Sequence, residues 1–413
     1  MRRVVVTGVG LITSLGTGVD KSWNGLIEGK TGIAAITAFD ATDFPSKVAG
    51  EVKDFNPEEY IDKKEIKKLA RYTQFAIAAT KMAMDDSGLV INDENAERVG
   101  VIVSSGIGGL EVLEEQHHKL IENGPKRISP FMIPAMIENM AAGNISIYFG
   151  TKGINKSVVT ACASGTHSIG DAFEAIKAGR ADVIIAGGTE ACITPLGTGG
   201  FCALKALATK FNDTPEKASR PFNIDRDGFV MGEGAGVLIL EELETAKRRG
   251  AKIYAEMVGC GETGDDYHMT APSPDGEGAA RAIKMALAEG NIDISEVDYI
   301  NAHGTSTPAN DKNETAAIRT VFGEYAKTIN VSSTKGATGH ALGGAGGMEG
   351  VIIALTIKNG IIPPTINYEN PDPECDLNYT PNQAVKKEIR VAISNSLGFG
   401  GHNGVIAMKK YSE

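Results

Sequence analysis

S157VVTACASGTHS168 passes from β-branched residues, through a cysteine flanked by small residues, into a helical pattern. Val158 and Val159 read as the end of a buried strand predicted over 157–160. Beyond Ser164, residues Ile169, Ala172, Phe173 and Ile176 recur at helical spacing, which predicts a helix over 166–178. Cys162 therefore falls at a strand-to-helix elbow. There it faces free backbone N–H groups and the positive end of a helix dipole, a setting that predicts a lowered thiol pKa. Ala161, Ala163 and Gly165 leave room for a sharp turn and a bulky reaction partner.

The same pattern recurs further along. S157VVTACASG165 is matched by N330VSSTKGATG339, R98VGVIVSSG106 by V297DYINAHG304, and D182VIIAGGTE190 by R390VAISNSLG398. Each pair is a strand followed by a small-residue loop, and the pairs come in the same order. A duplicated β-α unit produces this. Short apolar strands at 3–6, 99–103, 183–186, 237–240, 253–258, 299–301, 328–331, 391–394 and 404–408 alternate with helical stretches at 66–87, 278–290, 311–322 and 345–359. That alternation is the α/β pattern. The duplication divides the chain near Gly250, into a half of residues 1–250 that carries Cys162 and a half of residues 251–413. No long linker separates them, so the halves should pack as one body.

Composition bounds the function. The chain has 413 residues, 42% hydrophobic and 23% charged, as expected for a globular protein with a large core. Glycine is high at 50 residues, clustered in loops that turn tightly or approach a ligand closely. A net charge of −11 argues against nucleic-acid binding and leaves local basic patches as partner sites. Five cysteines without paired spacing suggest no disulfide framework and no zinc site. The start, M1RRVVVTGVGLI12, is broken by Thr7, Gly8 and Gly10 and reads as a buried strand, not a signal peptide. No run approaches a membrane span. A cytoplasmic protein with reduced thiols is expected.

The second half supplies two histidines in matching contexts. His303 follows a buried strand in N301AHGTSTPAND311, and His340 lies in the glycine-rich S332STKGATGHALGGAGG347, five residues after Lys335. Phe399 sits between glycines in N395SLGFGGHN403, where its backbone N–H can approach a ligand. In α/β proteins these strand-end loops gather outside the carboxyl ends of the strands.

Together T160ACASG165, N301AHGTST307, K335GATGHALGGAGG347, G398FGGHN403 and P221FNIDRDGFVMGEGAG236 closely resemble the β-ketoacyl-acyl carrier protein synthases of the elongating type, over essentially the whole chain. The pattern is nearer synthase II than synthase I. The resemblance implies the thiolase fold, a duplicated α-β-α-β-α five-layer sandwich, and usually a homodimer. It implies fatty acid elongation by decarboxylative Claisen condensation of an acyl-acyl carrier protein with malonyl-acyl carrier protein. A synthase I type or a polyketide ketosynthase is the alternative. By the resemblance Cys162 takes the acyl group. His303 and His340 hold the malonyl thioester and its enolate, with Lys335 tuning both. The N–H groups of Cys162 and Phe399 bind the oxyanion. Thr305 and Thr307 hydrogen-bond the pantetheine arm, and Ile107 and Phe201 line the acyl pocket. No cofactor is implied beyond the carrier's phosphopantetheine.

Glu349 and Glu314 lie on helices that begin near the histidine loops. With Asn301, Ser394 and Asn395 they would form a buried polar network, or hold a monovalent cation near Asn301, Glu349 and Asn395. Glu190 and Glu233 read as structural. The loop in V6TGVGLITSLG16 only faintly resembles a dinucleotide-binding turn, because its glycine spacing is irregular. The densest basic run, D62KKEIKKLAR71, would place Lys64, Lys67, Lys68 and Arg71 on one helical face. With Lys205 near the presumed pocket mouth, that face is the expected landing site for acidic acyl carrier protein.

Overall fold

The structure is a computed structural model and describes residues 2–412. Its main strands are β1 (Val4–Thr13), β2 (Val99–Ser104), β3 (Asn155–Lys156), β4 (Val183–Glu190), β5 (Gly234–Glu242), β6 (Ala255–Gly264), β7 (Val297–Asn301), β8 (Asn330–Ser332), β9 (Val391–Gly398) and β10 (His402–Lys409). They hydrogen-bond in the order β8-β7-β9-β10-β6-β1-β5-β4-β2-β3. Read from either end, the order gives the same arrangement. β2 pairs parallel with β3 and β4, as β7 does with β8 and β9. β4, β5 and β1 then pair antiparallel, as do β9, β10 and β6. All three quoted sequence pairs occupy mirrored positions. β1 and β6 join the series through the short register Val4–Val6 against Ala255–Met257.

The mirror extends to irregularities. A register shift falls between Val6 and Gly8 on β1 and between Met257 and Gly259 on β6. Glycine is required just beyond each. A Cβ on Gly10 would lie 1.9 Å from the Ala79 carbonyl oxygen, and one on Gly261 would lie 2.0 Å from that of Ala282. Gly8 and Gly10 of V6TGVGLITSLG16 thus serve close helix–strand contact inside a fully buried strand, not a phosphate-binding turn.

The strands are sandwiched by helices α1 (Arg71–Ser87), α2 (Ser164–Lys177), α3 (Glu277–Glu289), α4 (Pro308–Phe322) and α5 (Ala345–Asn359). α5 is buried from Ala345 to Ile357 and, Glu349 and Thr356 apart, apolar all round over that span, which fits a helix with protein all round it. It packs against α2 and against strands of both halves, so α2 and α5 form the middle layer. α1 covers β1 and β5 on one outside, and α3 covers β6 and β10 on the other. The result is the expected five-layer α-β-α-β-α order.

Two local expectations are corrected. The predicted helix over 66–87 is broken: a short helix spans Lys63–Ile66, and α1 begins only at Arg71, after Ala70 in extended geometry (φ −66°, ψ 156°). No residue of the predicted strand over 157–160 joins the ladder, whose pairing is confined to Asn155–Lys156 just before it. There Ser104 Oγ accepts the Val158 N–H at 2.7 Å and Ser157 Oγ donates to the Val103 carbonyl at 2.9 Å, so side chains take the place of ladder bonds. Among the described residues no helix is long and apolar enough to cross a membrane.

Candidate active site

Cys162 lies in the one-turn helix Ala161–Ala163 that leads into α2. Ala161 before it holds φ at +52°, a left-handed conformation that non-glycine residues rarely adopt and that turns the chain sharply into the helix. His303 follows β7, His340 follows the short helix Lys335–Thr338 beyond β8, and Phe399 follows β9. The four loops converge on a cavity of about 360 Å³ lined by Cys162, Phe201, His303, Thr305, His340 and Phe399, and also by Thr307. The imidazoles stand edge to face, with ring centroids 5.2 Å apart and planes at 88°, and Phe229 backs His340 at 5.3 Å. The Phe399 loop touches the cysteine loop. A Cβ on Gly398 would lie 2.7 Å from the Thr160 carbonyl oxygen and 3.3 Å from the Cys162 nitrogen.

The electrostatics separate into an uncharged Cys162–His303–His340 cluster and a charged floor beneath it. Burial pushes the Cys162 thiol up to about 12; the Lys335 charge and the N–H groups of Phe399 and Cys162 pull the other way. The helix N-terminus therefore does not leave a resting thiolate, contrary to the lowered pKa its placement predicts. The sulfur instead has two N–H groups and one cation arranged to receive charge as it develops. Burial first, and then Lys335, hold His303 and His340 well below the ordinary histidine range, so both are neutral at neutral pH. The Nδ1 atom of each ring is buried without a partner.

Lys335 does not line the cavity. It is buried beneath it in an ion pair with Glu349, and burial raises Glu349 to about 7 against the pull of Lys335. Glu314 accepts the His303 and Gly304 N–H groups at 2.8 Å each and the Asn395 amide at 3.1 Å, which fixes the His303 loop. Asn301 donates to the Tyr299 hydroxyl at 3.1 Å. Four acceptors of this network, Asn301 Oδ1, Ser394 Oγ, Asn395 Oδ1 and Glu349 Oε2, are buried without a hydrogen-bond partner. The predicted network residues are thus together, and their satisfaction is incomplete.

This cavity combines a thiol, two neutral imidazoles and paired N–H donors. Models of the β-ketoacyl synthase N-terminal and C-terminal domains match residues 1–246 and 254–369. The chain belongs to the β-ketoacyl synthase family. It has the thiolase-like fold and is a condensing enzyme of the acyltransferase class. A Synechocystis protein named 3-oxoacyl-[acyl-carrier-protein] synthase 2 is 55% identical over 410 residues, covering 99% of this chain and 98% of the relative. A Staphylococcus aureus protein of the same name is 52% identical, covering 99% of both. Among solved structures, a type II polyketide ketosynthase in complex with its acyl carrier protein superposes with a TM-score of 0.92 at 39% identity, covering 99% of this chain and all of that one.

In this synthase Ile107 lies apart from the main cavity. It packs with Cys162, Cys192, Phe201, Phe229 and Leu342 in an apolar cluster beyond the sulfur. Lys205 is exposed and lines the cavity mouth. Lys64 and Lys67 are exposed, and Lys68 pairs with Glu65 at 2.7 Å. Arg71 is not part of that face. Beyond the helix break it turns inward, with Nη2 at 2.7 Å from Glu233 and 2.8 Å from the Val52 carbonyl. Sequence reasoning passed over Arg226, a buried cation that donates to the Thr307 and Pro308 carbonyls at 3.2 and 2.9 Å and so supports the Thr305–Thr307 loop. The available signal was a lone cation set between Asp225 and Asp227 in the glycine-rich P221FNIDRDGFVMGEGAG236.

Proposed function

We propose that this synthase elongates fatty acyl chains by decarboxylative Claisen condensation on acyl carrier protein. The observation that carries the reading is the convergence of the Cys162 thiol, two neutral histidines and the Phe399 and Cys162 N–H groups on one cavity. In the first step Cys162 Sγ attacks the acyl thioester. The sulfur–carbon bond to the carrier breaks, and the thiol proton passes to the departing phosphopantetheine sulfur. In the second step malonyl thioester binds with its carbonyl oxygen toward His303 and His340. A buried Nδ1 without a partner is cheaper as a lone pair than as an N–H, which favours the Nε2–H tautomer on each ring. Two neutral donors then stabilise the enolate left when the carbon–carboxylate bond breaks and carbon dioxide departs. The enolate carbon attacks the acyl-Cys162 carbonyl, and the Phe399 and Cys162 N–H groups hold the oxyanion. Cys162 leaves and takes up one proton, which balances the 3-oxoacyl product.

Thr305 and Thr307, whose hydroxyls lie 3.0 Å apart at the cavity wall, would hold the pantetheine arm. Ile107 and Phe201 would meet the acyl tail, and Phe399 would move to admit it. Lys64, Lys67, Lys68 and Lys205 would steer the acidic carrier protein to the mouth. The four unpartnered acceptors at Asn301, Ser394, Asn395 and Glu349 fit a monovalent cation, a hard ion that takes oxygen ligands; no other cofactor enters the reading. A homodimer is supported by exposed Phe131, Ile133, Ile137, Ile147 and Val159 in the segment around edge strand β3. The free cysteines fit the cytoplasm.

The test separates the half-reactions. His303→Ala should still accept an acyl group on Cys162, read by intact mass, and should lose malonyl decarboxylation, read as carbon dioxide release. Normal decarboxylation in both His303→Ala and His340→Ala would overturn the assignment.

A further inference from the structure

Glu190, the last residue of β4, is completely buried. A carboxylate there needs partners, and it has three. Oε1 accepts the Ser105 hydroxyl at 2.6 Å, while Oε2 accepts the Gly106 N–H at 2.9 Å and the Gly343 N–H at 3.1 Å. The two loops it holds meet the cysteine loop at this point. A Cβ on Gly106 would lie 3.2 Å from the Ala161 carbonyl oxygen, and one on Gly343 would lie 2.2 Å from the Gly106 nitrogen. Ala161 precedes Cys162. Ile107 follows Gly106. Gly343 follows Leu342, which lines the cavity. Ser105 Oγ also accepts the Gly108 N–H at 2.8 Å, so the hold spans both sides of Ile107.

The second half contains a counterpart. Gly106 and Gly304 occupy the same place in the duplicated unit, and the Gly304 N–H is accepted by buried Glu314 at 2.8 Å. In one half a buried carboxylate fixes the loop of a histidine that faces the reaction. In the other, a buried carboxylate from a different element fixes the loop that carries Ile107. We propose that Glu190 is a positioning residue for acyl transfer. It locks the Ile107 loop and the Leu342–Gly343 loop against Cys162, and so sets which acyl tails pass the sulfur. This rests on the assignment of Cys162 as the acylated residue and of Ile107 to the acyl pocket.

The test uses full-length Glu190→Ala, Glu190→Gln and Ser105→Ala, with Cys162→Ala as control. Each is assayed for acylation by short and long acyl-carrier proteins and, separately, for malonyl decarboxylation. Losing the hydrogen bonds to a buried carboxylate should slow acylation by Glu190→Ala roughly tenfold or more. The long-to-short ratio of kcat/KM should shift by about threefold or more, with decarboxylation changed much less. Glu190→Gln keeps an acceptor for the Gly106 and Gly343 N–H groups and should retain acylation within about threefold. Ser105→Ala keeps the carboxylate and both N–H bonds, and should move the chain-length ratio in the same direction as Glu190→Ala but less. If Glu190→Ala does not fold, the Gln and Ser105 variants decide. Wild-type acylation and an unchanged chain-length ratio in every soluble Glu190 and Ser105 variant would overturn the proposal. So would a glutamine variant as impaired as alanine, or a parallel loss of acylation and decarboxylation. Acylation that persists in Cys162→Ala would instead overturn the site assignment beneath it.

Discussion

Lys335→Met removes the cation from a buried pair. The Lys335 and Glu349 side chains are 2% and 3% exposed, so solvent screens neither. Breaking such a pair from one side costs about 3–5 kcal/mol. Glu349 can escape the penalty only by taking a proton. In the wild type, burial already raises it to about 7 against the pull of Lys335, and without Lys335 it is held higher. A carboxyl whose folded pKa lies above its unfolded value of about 4.3 contributes stability that is full below that value and lost as pH rises through the folded pKa. The wild-type loss is complete near pH 7. The variant goes on losing as much as about 1.4 kcal/mol per pH unit, so its deficit should widen by up to about 3 kcal/mol between about pH 7 and pH 9. At roughly 2.1 cal/mol/K per residue over the 413-residue chain, that is about 3 °C of additional loss in thermal midpoint, measured by scanning fluorimetry at constant ionic strength. Lys335→Met/Glu349→Gln should remove the widening, because no titrating carboxyl remains. The acid limb of condensation should also move to higher pH in Lys335→Met, since Lys335 is one of the influences that hold both histidines low. Parallel midpoint curves for wild type and Lys335→Met across this range would refute the electrostatic argument.

The remaining expectations are shorter. Because burial holds the Cys162 thiol up to about 12, its alkylation by iodoacetamide should accelerate about tenfold per pH unit through neutrality with no plateau; a plateau near pH 7 would indicate a thiol lowered by its helix. Cys162→Gln places an amide where an acylated cysteine would lie, so condensation should vanish while malonyl decarboxylation continues; residual condensation would remove Cys162 as nucleophile. Reversing exposed Lys64 and Lys67 to Glu should raise the apparent KM for carrier-bound substrates several-fold at low salt and less at high salt, with small thioesters spared. Equal losses on both substrate types would show that this face does not receive the carrier.

The mirrored sheet was legible because strands of one half repeat the residue pattern of the other, with β-branched runs ending in small-residue loops. The helix over 345–359 was legible to its ends because α5 is bounded by glycine and mostly apolar. The break before Arg71 was not. Beyond it Arg71 reaches inward to Glu233, 162 positions away, and no local propensity encodes that pairing. β1 was expected to end at Val6 but runs on to Thr13, because Gly8 and Gly10, which locally weaken a strand, are demanded by the α1 backbone above them. The loops of Cys162, His303, His340 and Phe399 could each be placed at a strand end from sequence. The thiol pKa could not, because the dipole is a local signal and burial among Phe229, Leu342 and Met231 is a tertiary one. Glu190 read as structural because a single Glu after a glycine pair says nothing about which loops will reach it.

The duplication explains how one buried cation can serve a cavity that must itself stay neutral. The cysteine loop comes from one half and both histidine loops from the other, and the central helices α2 and α5 bring them together. Lys335 lies below all three groups and acts on each in the direction its role requires. It depresses His303 and His340 and favours the anionic form of Cys162; under the proposed mechanism that keeps the histidines uncharged donors and helps the sulfur both to attack and to leave. A cation exposed in the cavity would do this poorly. Water would screen it, and it would bind the malonyl carboxylate, holding back the group that must depart. Placing Lys335 against Glu349 under the floor keeps its charge buried beneath Cys162, His303 and His340. On this reading activity should depend more on the geometry of these loops than on any one charge at the surface of the cavity, and buried carboxylates such as Glu314 and Glu190, each tied to backbone N–H groups, would act by holding those loops in place.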